Sequence, residues 1–194
     1  MIQIRALQGM ELEAALEDVA ALRIAVFRDW PYLYDGTIEY ERSYLSHYRD
    51  NPEALLVGAF AGDALVGAST STPMEYHAEQ FSTPLQAIGV PVASILYGAE
   101  SVILPAWRGQ GLGARFIALR EAHARRLNRS HVAFCAVQRP DTHPARPSDA
   151  RTNDAFWRRN GYAPLPGVVA AFGWQDVGDS AETLKPLQFW LRAL

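Results

Sequence analysis

Apolar positions recur along the chain with two periods, and these lay out the elements. Ile2 to Leu7 alternates, the mark of a short strand. From Glu11 to Arg28, Leu12, Leu16, Val19, Leu22 and Val26 fall at helical spacing and form one apolar stripe. Trp30-Pro31-Tyr32-Leu33-Tyr34-Asp35-Gly36 breaks that stripe with a proline and an Asp-Gly pair and reads as a loop. Thr37 to Arg49 reads as a second helix, started by Thr37, with Tyr40, Tyr44 and Tyr48 four residues apart. Ala54 to Phe60 and Ala64 to Thr72 are strands joined through Ala61-Gly62-Asp63, a hairpin signal.

Residues 73–93 hold no clear period and read as an insertion, with Ala78 to Ile88 as a short helix. Ile95 to Leu104 is a strand closed by Pro105. Gly111 to Asn128 is a helix with Leu112, Phe116, Leu119 and Leu127 on one face, and His131 to Val137 is a buried strand. Arg139 to Pro147, with three prolines, is a loop. Ser148 to Asn160 reads as a helix that Ser148 or Asp149 caps and Gly161 ends. Val168 to Trp174 and Leu187 to Leu191 close the chain as strands. The order β-α-α-β-β-(insertion)-β-α-β-α-β-β predicts an α/β (α+β) domain over 1–194, a mixed sheet with helices on both faces.

Composition narrows the function. A formal net charge of −3 argues against nucleic acid as a main partner. Lys185 is the single lysine, a skew that carries no function. Cys135 is the single cysteine, so no intrachain disulfide and no cysteine-held zinc is expected, and its apolar neighbours mark it as a buried hydrophobe rather than a nucleophile. The five histidines are scattered, so no metal site is expected. No basic start precedes a long apolar core, and no run of about 20 apolar residues exists, so neither a signal peptide nor a membrane span is expected and the default location is the cytoplasm.

One segment carries chemistry: Val102-Ile103-Leu104-Pro105-Ala106-Trp107-Arg108-Gly109-Gln110-Gly111-Leu112-Gly113-Ala114. It leaves a strand, turns and opens a helix. Glycines at 109, 111 and 113 let backbone approach a ligand, and the first helical N–H groups lack internal partners in a dipole that favours anions. That describes a phosphate cradle, with a ligand-free glycine turn as the plain alternative. A dinucleotide fold is disfavoured, because the spacing is G-x-G-x-G and lies mid-chain. A Walker loop fails for want of Gly-Lys-Ser/Thr.

Arg108-Gly109-Gln110-Gly111-Leu112-Gly113 resembles the Gln/Arg-x-x-Gly-x-Gly/Ala motif of the GNAT N-acetyltransferase superfamily. Phe156-Trp157-Arg158-Arg159-Asn160-Gly161-Tyr162 is similar to that family's Phe-Tyr-x-x-x-Gly-Phe helix end. The resemblance implies a mostly antiparallel sheet splayed at its central strands. It implies acetyl-CoA as co-substrate, with pyrophosphate on the backbone of 109–114 and the pantetheine arm along 102–104. It implies a small-molecule amine as acceptor, and a homodimer as a family-level expectation.

The chain departs from the family where the leaving thiolate is protonated. The tyrosine of the helix-end motif is Trp157, and the asparagine seven residues earlier is Ala150. Residues 150, 153 and 157 would share a helix face, so Asn153 either takes over a pantetheine hydrogen bond or faces water. Tyr162 reads as packing. Glu100, the one acid on the central strand, is the candidate base; the plain alternatives are a glutamate in solvent or one paired with an arginine. Asp141 and His143 are lesser candidates. The loop between the first two helices lines the acceptor site in this family, which points to Tyr32, Tyr34, Asp35 and Glu39, with Trp30, Tyr40 and Tyr44 near; Tyr44 and Tyr48 suit plain packing. Glu75, Tyr76 and His77 would cap the cleft. Aromatic faces and carboxylates suit a cationic amine. The expected activity is acetyl-CoA-dependent N-acetyl transfer by direct attack in a ternary complex, and the alternative is a catalytically weak or inactive acyl-CoA-binding sensor or partner protein of the same fold.

Overall fold

The computed structural model describes residues 1–7 and 9–194. The chain runs β1 (Ile2–Leu7), α1 (Gly9–Phe27), α2 (Ile38–Arg49), β2 (Leu55–Ala61), β3 (Ala64–Pro73), α3 (Glu79–Ala87), β4 (Ile95–Ile103), α4 (Leu112–Arg126), β5 (His131–Val137), α5 (Asp154–Arg159), β6 (Ala163–Gln175) and β7 (Glu182–Ala193). One seven-stranded sheet has the order β1-β2-β3-β4-β5-β7-β6, antiparallel except where β4 meets β5. The element order predicts a mixed sheet, and its mostly antiparallel character is what the family resemblance implies. Among the described residues no helix is long and apolar enough to cross a membrane.

The two faces are covered by different helices. Leu12, Val19, Leu22, Leu45 and Tyr48 of α1 and α2 pack on Leu56, Ala68 and Val102. Leu112 and Phe116 of α4 pack on the opposite face against Leu55, Val57 and Val66. The helix α2 starts as Thr37 predicts, its hydroxyl accepting from Tyr40 N–H at 3.3 Å. Residues 73–93 supply α3, whose Phe81 and Leu85 join the rings of Tyr97 and Trp174.

Three sequence expectations need correction. The helix expected over Ser148–Asn160 is only Asp154–Arg159. Ser148, Asp149, Thr152 and Asn153 carry short polar side chains that compete for backbone groups, and a helix there would bury little. Leu119 is exposed, and the buried row of α4 is Leu112, Phe116 and Arg120 instead. The strands β6 and β7 are longer than the alternation suggests, because the ladder breaks between Pro164 and Val169 and the pattern is legible only beyond it.

Candidate active site

Strand β4 is bulged and then abandoned by one neighbour. Thr70 faces Glu100 and Ser71 faces Gly98, so Ala99 is the extra residue of a bulge. Parallel pairing with β5 covers only Ile95–His131, Leu96–Val132 and Tyr97–Ala133. Beyond it β4 follows β3 to Ile103, and β5 follows β7 to Val137. Their facing edges diverge into a V-shaped cleft with free backbone donors and acceptors, the kind of edge an extended amide ligand can join. Arg120 fills the apex from α4 and is 4% exposed. One of its terminal nitrogens donates to Ser69 Oγ at 2.5 Å, Ser101 Oγ at 2.8 Å and the Glu100 carbonyl at 3.0 Å. A Cβ on Gly98 would collide with this guanidinium. Burial pushes the Arg120 pKa down, and its Nε has no partner.

On the α4 face the cleft opens into a groove of about 1030 Å³. Gly109 and Gly111 have φ of +77° and +79°, and a Cβ on either would enter open space. The first bond of α4 runs from Arg115 N–H to the Gly111 carbonyl at 3.2 Å. The N–H groups of 112–114 therefore have no helical acceptor. A cradle that a side chain would fill, at a helix N-terminus, fits a phosphate. Gly113 lets α5 close in, since a Cβ there would stand 3.1 Å from the Phe156 ring. Trp157 walls the groove, its ring centroid 5.1 Å from Phe134 and 4.9 Å from Trp190.

On the opposite face lies a cavity of about 120 Å³, walled by Phe27, Tyr32, Tyr34, Tyr44, Phe81, Tyr97 and Trp174 among others. Phe27, Tyr32, Ala99, Glu100 and Cys135 border both spaces. The loop 30–36, which contains a cis Trp30–Pro31 peptide, is stitched to the far half of the sheet. Arg139 donates to the carbonyls of Pro31 at 2.9 Å and Tyr32 at 2.6 Å and pairs with Asp176 at 2.6 Å, and Trp174 Nε1 donates to the Tyr32 carbonyl at 2.9 Å.

Glu100 is 6% exposed and held on three sides. Thr70 Oγ1 donates to one oxygen at 2.6 Å; the other meets Arg23 at 2.5 Å and Tyr44 OH at 3.2 Å. Arg23 also pairs with the fully buried Glu41. Two carboxylates thus share one guanidinium. Beside it, burial pulls the His77 imidazole down to about 4 and pushes the Cys135 thiol up to about 12, so both are neutral at pH 7.

A model described as the Acetyltransferase (GNAT) family matches residues 19–148, two thirds of the chain. The chain belongs to this family. No curated protein sequence matches it significantly. Among solved structures, it is similar to a ribosomal-protein-alanine N-acetyltransferase from Brucella melitensis (TM-score 0.62, 15% identity, 99% of each chain covered). It is similar to a PaiA N-acetyltransferase from Thermoplasma acidophilum in complex with coenzyme A (0.56, 14%, 100% of this chain and 99% of that one). A third is YncA, a putative acetyltransferase from Salmonella typhimurium with its cofactor acetyl-CoA (0.63, 12%, 100% and 94%). At these identities the likeness is one of fold.

Within this GNAT fold, most of the residues expected at the cofactor site do come together. Ile103, Arg108, Gly109, Gly111, Leu112, Gly113, Ala114 and Asn153 line the groove, whereas Val102, Leu104 and Gln110 do not. The Val102 side chain is fully buried beneath α1, and the Leu104 N–H is committed to the Val66 carbonyl at 3.0 Å. Arg108 Nε donates to the Ile103 carbonyl at 3.0 Å, so this arginine also closes the loop on its own strand. Asn153 precedes α5 and Ala150 lies outside it, so 150, 153 and 157 share no helix face.

The acceptor residues fare unevenly. Tyr32 and Tyr34 line the cavity. Asp35 is exposed and paired with Arg28 at 2.7 Å, Glu39 is exposed, and Tyr76 is 59% exposed; none of the three lines it. The insertion reaches the cavity through His77 and Phe81, while Glu75 pairs with Arg129 at 2.7 Å. Asp141 borders the groove in an ion pair with Arg146, and the His143 ring lies tilted against Trp30, centroids 5.3 Å apart. Tyr162 is buried, donating to Glu121 at 3.3 Å, as packing requires. Sequence reasoning missed Arg23 and Arg120, and it set Tyr44 aside as packing. The available signal was a charge four residues after a core position: Arg23 after Val19 and Arg120 after Phe116.

Proposed function

We propose that the protein transfers the acetyl group of acetyl-CoA to the amine of a small cationic acceptor by direct attack with both bound. The observation that carries this reading is the meeting of the phosphate-ready groove and the ring-walled cavity at Glu100, across the open edge of β4. When bound, acetyl-CoA supplies an activated thioester. Backbone N–H groups at the start of α4 hold its pyrophosphate, and the free edge of β4 receives the pantetheine amides.

The Arg23–Glu41–Glu100 cluster, with two carboxylates to one guanidinium, draws the ammonium form of the acceptor. Glu100 has about four lone-pair positions and three are used, leaving one for the amine. Glu100 takes a proton from nitrogen. The freed lone pair on nitrogen forms the new N–C bond as the C–S bond breaks, the electron pair leaves on sulfur, and the second proton lost from nitrogen as the amide forms passes to solvent water. Trp157 has no proton to give at useful pH, so the sulfur leaves as thiolate.

Trp157 in place of the family's tyrosine favours a second reading, an acyl-CoA-binding domain without turnover. Free-thiol release from acetyl-CoA across a panel of amines, with calorimetry of coenzyme A binding beside it, separates the two. Thiol release that requires an amine supports transfer; binding with no release from any amine overturns it.

A further inference from the structure

The ring-walled cavity also says what body the amine carries, an inference that rests on the acetyl-transfer reading above. An engineered apolar cavity of about 150 Å³ takes a benzene ring. The cavity of about 120 Å³ is of that order and takes one small ring or a branched chain of similar bulk. Its walls are ring faces, which favour hydrocarbon and a single cation over further uncharged polar groups.

The cations around it are already committed. Arg23 is shared by Glu41 and Glu100. Arg139 and Lys185, behind Trp174, both pair with Asp176 at 2.6 and 3.1 Å. A carboxylate on the acceptor would face Glu100 with no uncommitted guanidinium or ammonium on the cavity wall to meet it, since Arg120 lines the groove and not the cavity, a costly arrangement in a desolvated site. A second ammonium, as on a polyamine, would have no second carboxylate facing the cavity, since Glu100 is the one acid on its wall. A peptide backbone would leave amides unpaired among rings.

We infer that the acceptor is a compact apolar primary monoamine, its nitrogen at Glu100 and its hydrocarbon body inside the cavity formed by Phe27, Tyr32, Phe81, Tyr97, Phe172 and Trp174. The Phe172 ring, on β6, lies 5.7 Å from Phe81 and 6.3 Å from Trp174 and closes the wall. Its removal lengthens the space available to the body of the acceptor.

The test compares benzylamine and isobutylamine with spermidine, phenylalanine and an alanine-terminated tripeptide, reading kcat/KM by thiol release. Benzylamine binding to the coenzyme A-loaded protein is followed separately by saturation-transfer NMR. Benzylamine or isobutylamine is expected to exceed the other three by roughly tenfold or more. Phe172→Ala is expected to shift the ratio of naphthylmethylamine to benzylamine upward by roughly tenfold. Preference for spermidine, phenylalanine or the tripeptide overturns this inference and leaves acetyl transfer standing. Benzylamine binding without thiol release from any amine supports the cavity's specificity and overturns acetyl transfer. Neither binding nor release overturns both.

Discussion

Arg23 of α1 and Glu100 of β4 meet at 2.5 Å at the cavity wall, although 77 positions separate them in the chain. The pair fixes where the one acidic group of the cavity wall points. Glu100→Gln keeps the shape and removes the base. The rate is expected to fall by roughly 10² to 10⁴, with coenzyme A affinity within about threefold of the parent, since the groove's phosphate cradle is untouched. Arg23 retains Glu41, so the variant is expected to fold. A parental pH–rate curve in the variant would remove Glu100 from the mechanism.

Gly111 stands at φ +79° with open space where its side chain would be. Gly111→Val sets a branched side chain in the phosphate's place and in a strained conformation costing about 1–2 kcal/mol. Calorimetry is expected to show coenzyme A affinity reduced beyond detection. Arg108→Ala should weaken binding less, by roughly tenfold, because it removes one charge and leaves the backbone donors. Parental affinity in the valine variant would sink the cradle.

Trp157 packs between Phe134 and Trp190. Trp157→Phe is expected to keep most of the activity, because a thiolate needs little help to leave. If the indole N–H bonded the departing sulfur, its loss would cost on the order of tenfold to a thousandfold. A loss of that size with coenzyme A affinity and Tm intact would assign Trp157 a part in the chemistry.

The neutral His77 makes stability depend on acid. Its folded pKa is about 4 against an ordinary 6.5, so between those values the unfolded chain binds the extra proton. Stability is therefore full above pH 6.5 and falls as the pH drops from 6.5 to 4, by about 3 kcal/mol across the window. Urea midpoints at pH 7 and pH 4.5 should show this fall, and His77→Gln should flatten it. An equal fall in both proteins would place the acid sensitivity elsewhere.

What the sequence disclosed follows from range. The loop 108–113 is local: its glycines and the helix it opens are contiguous, so its geometry is legible without the fold. Glu100 was visible as the one acid on an apolar strand, but its partners were not, since Arg23, Thr70 and Tyr44 come from three other elements. The cavity itself is assembled from α1, the 30–36 loop, α2, α3, β4, β5, β6 and β7. For the same reason Asp35 and Tyr76, adjacent to the right residues in sequence, point elsewhere.

The short parallel contact between β4 and β5 gives the sheet a built-in reporter. Amides of Gly98 to Ile103 that point to β3 sit in a ladder interrupted only at the Ala99 bulge, while those that point across the cleft have no strand partner. Along one strand, hydrogen exchange therefore alternates between slow amides that register global unfolding and fast amides that slow only when an extended ligand occupies the V. The same six residues read out the integrity of the core and the occupancy of the groove, residue by residue, with no label attached.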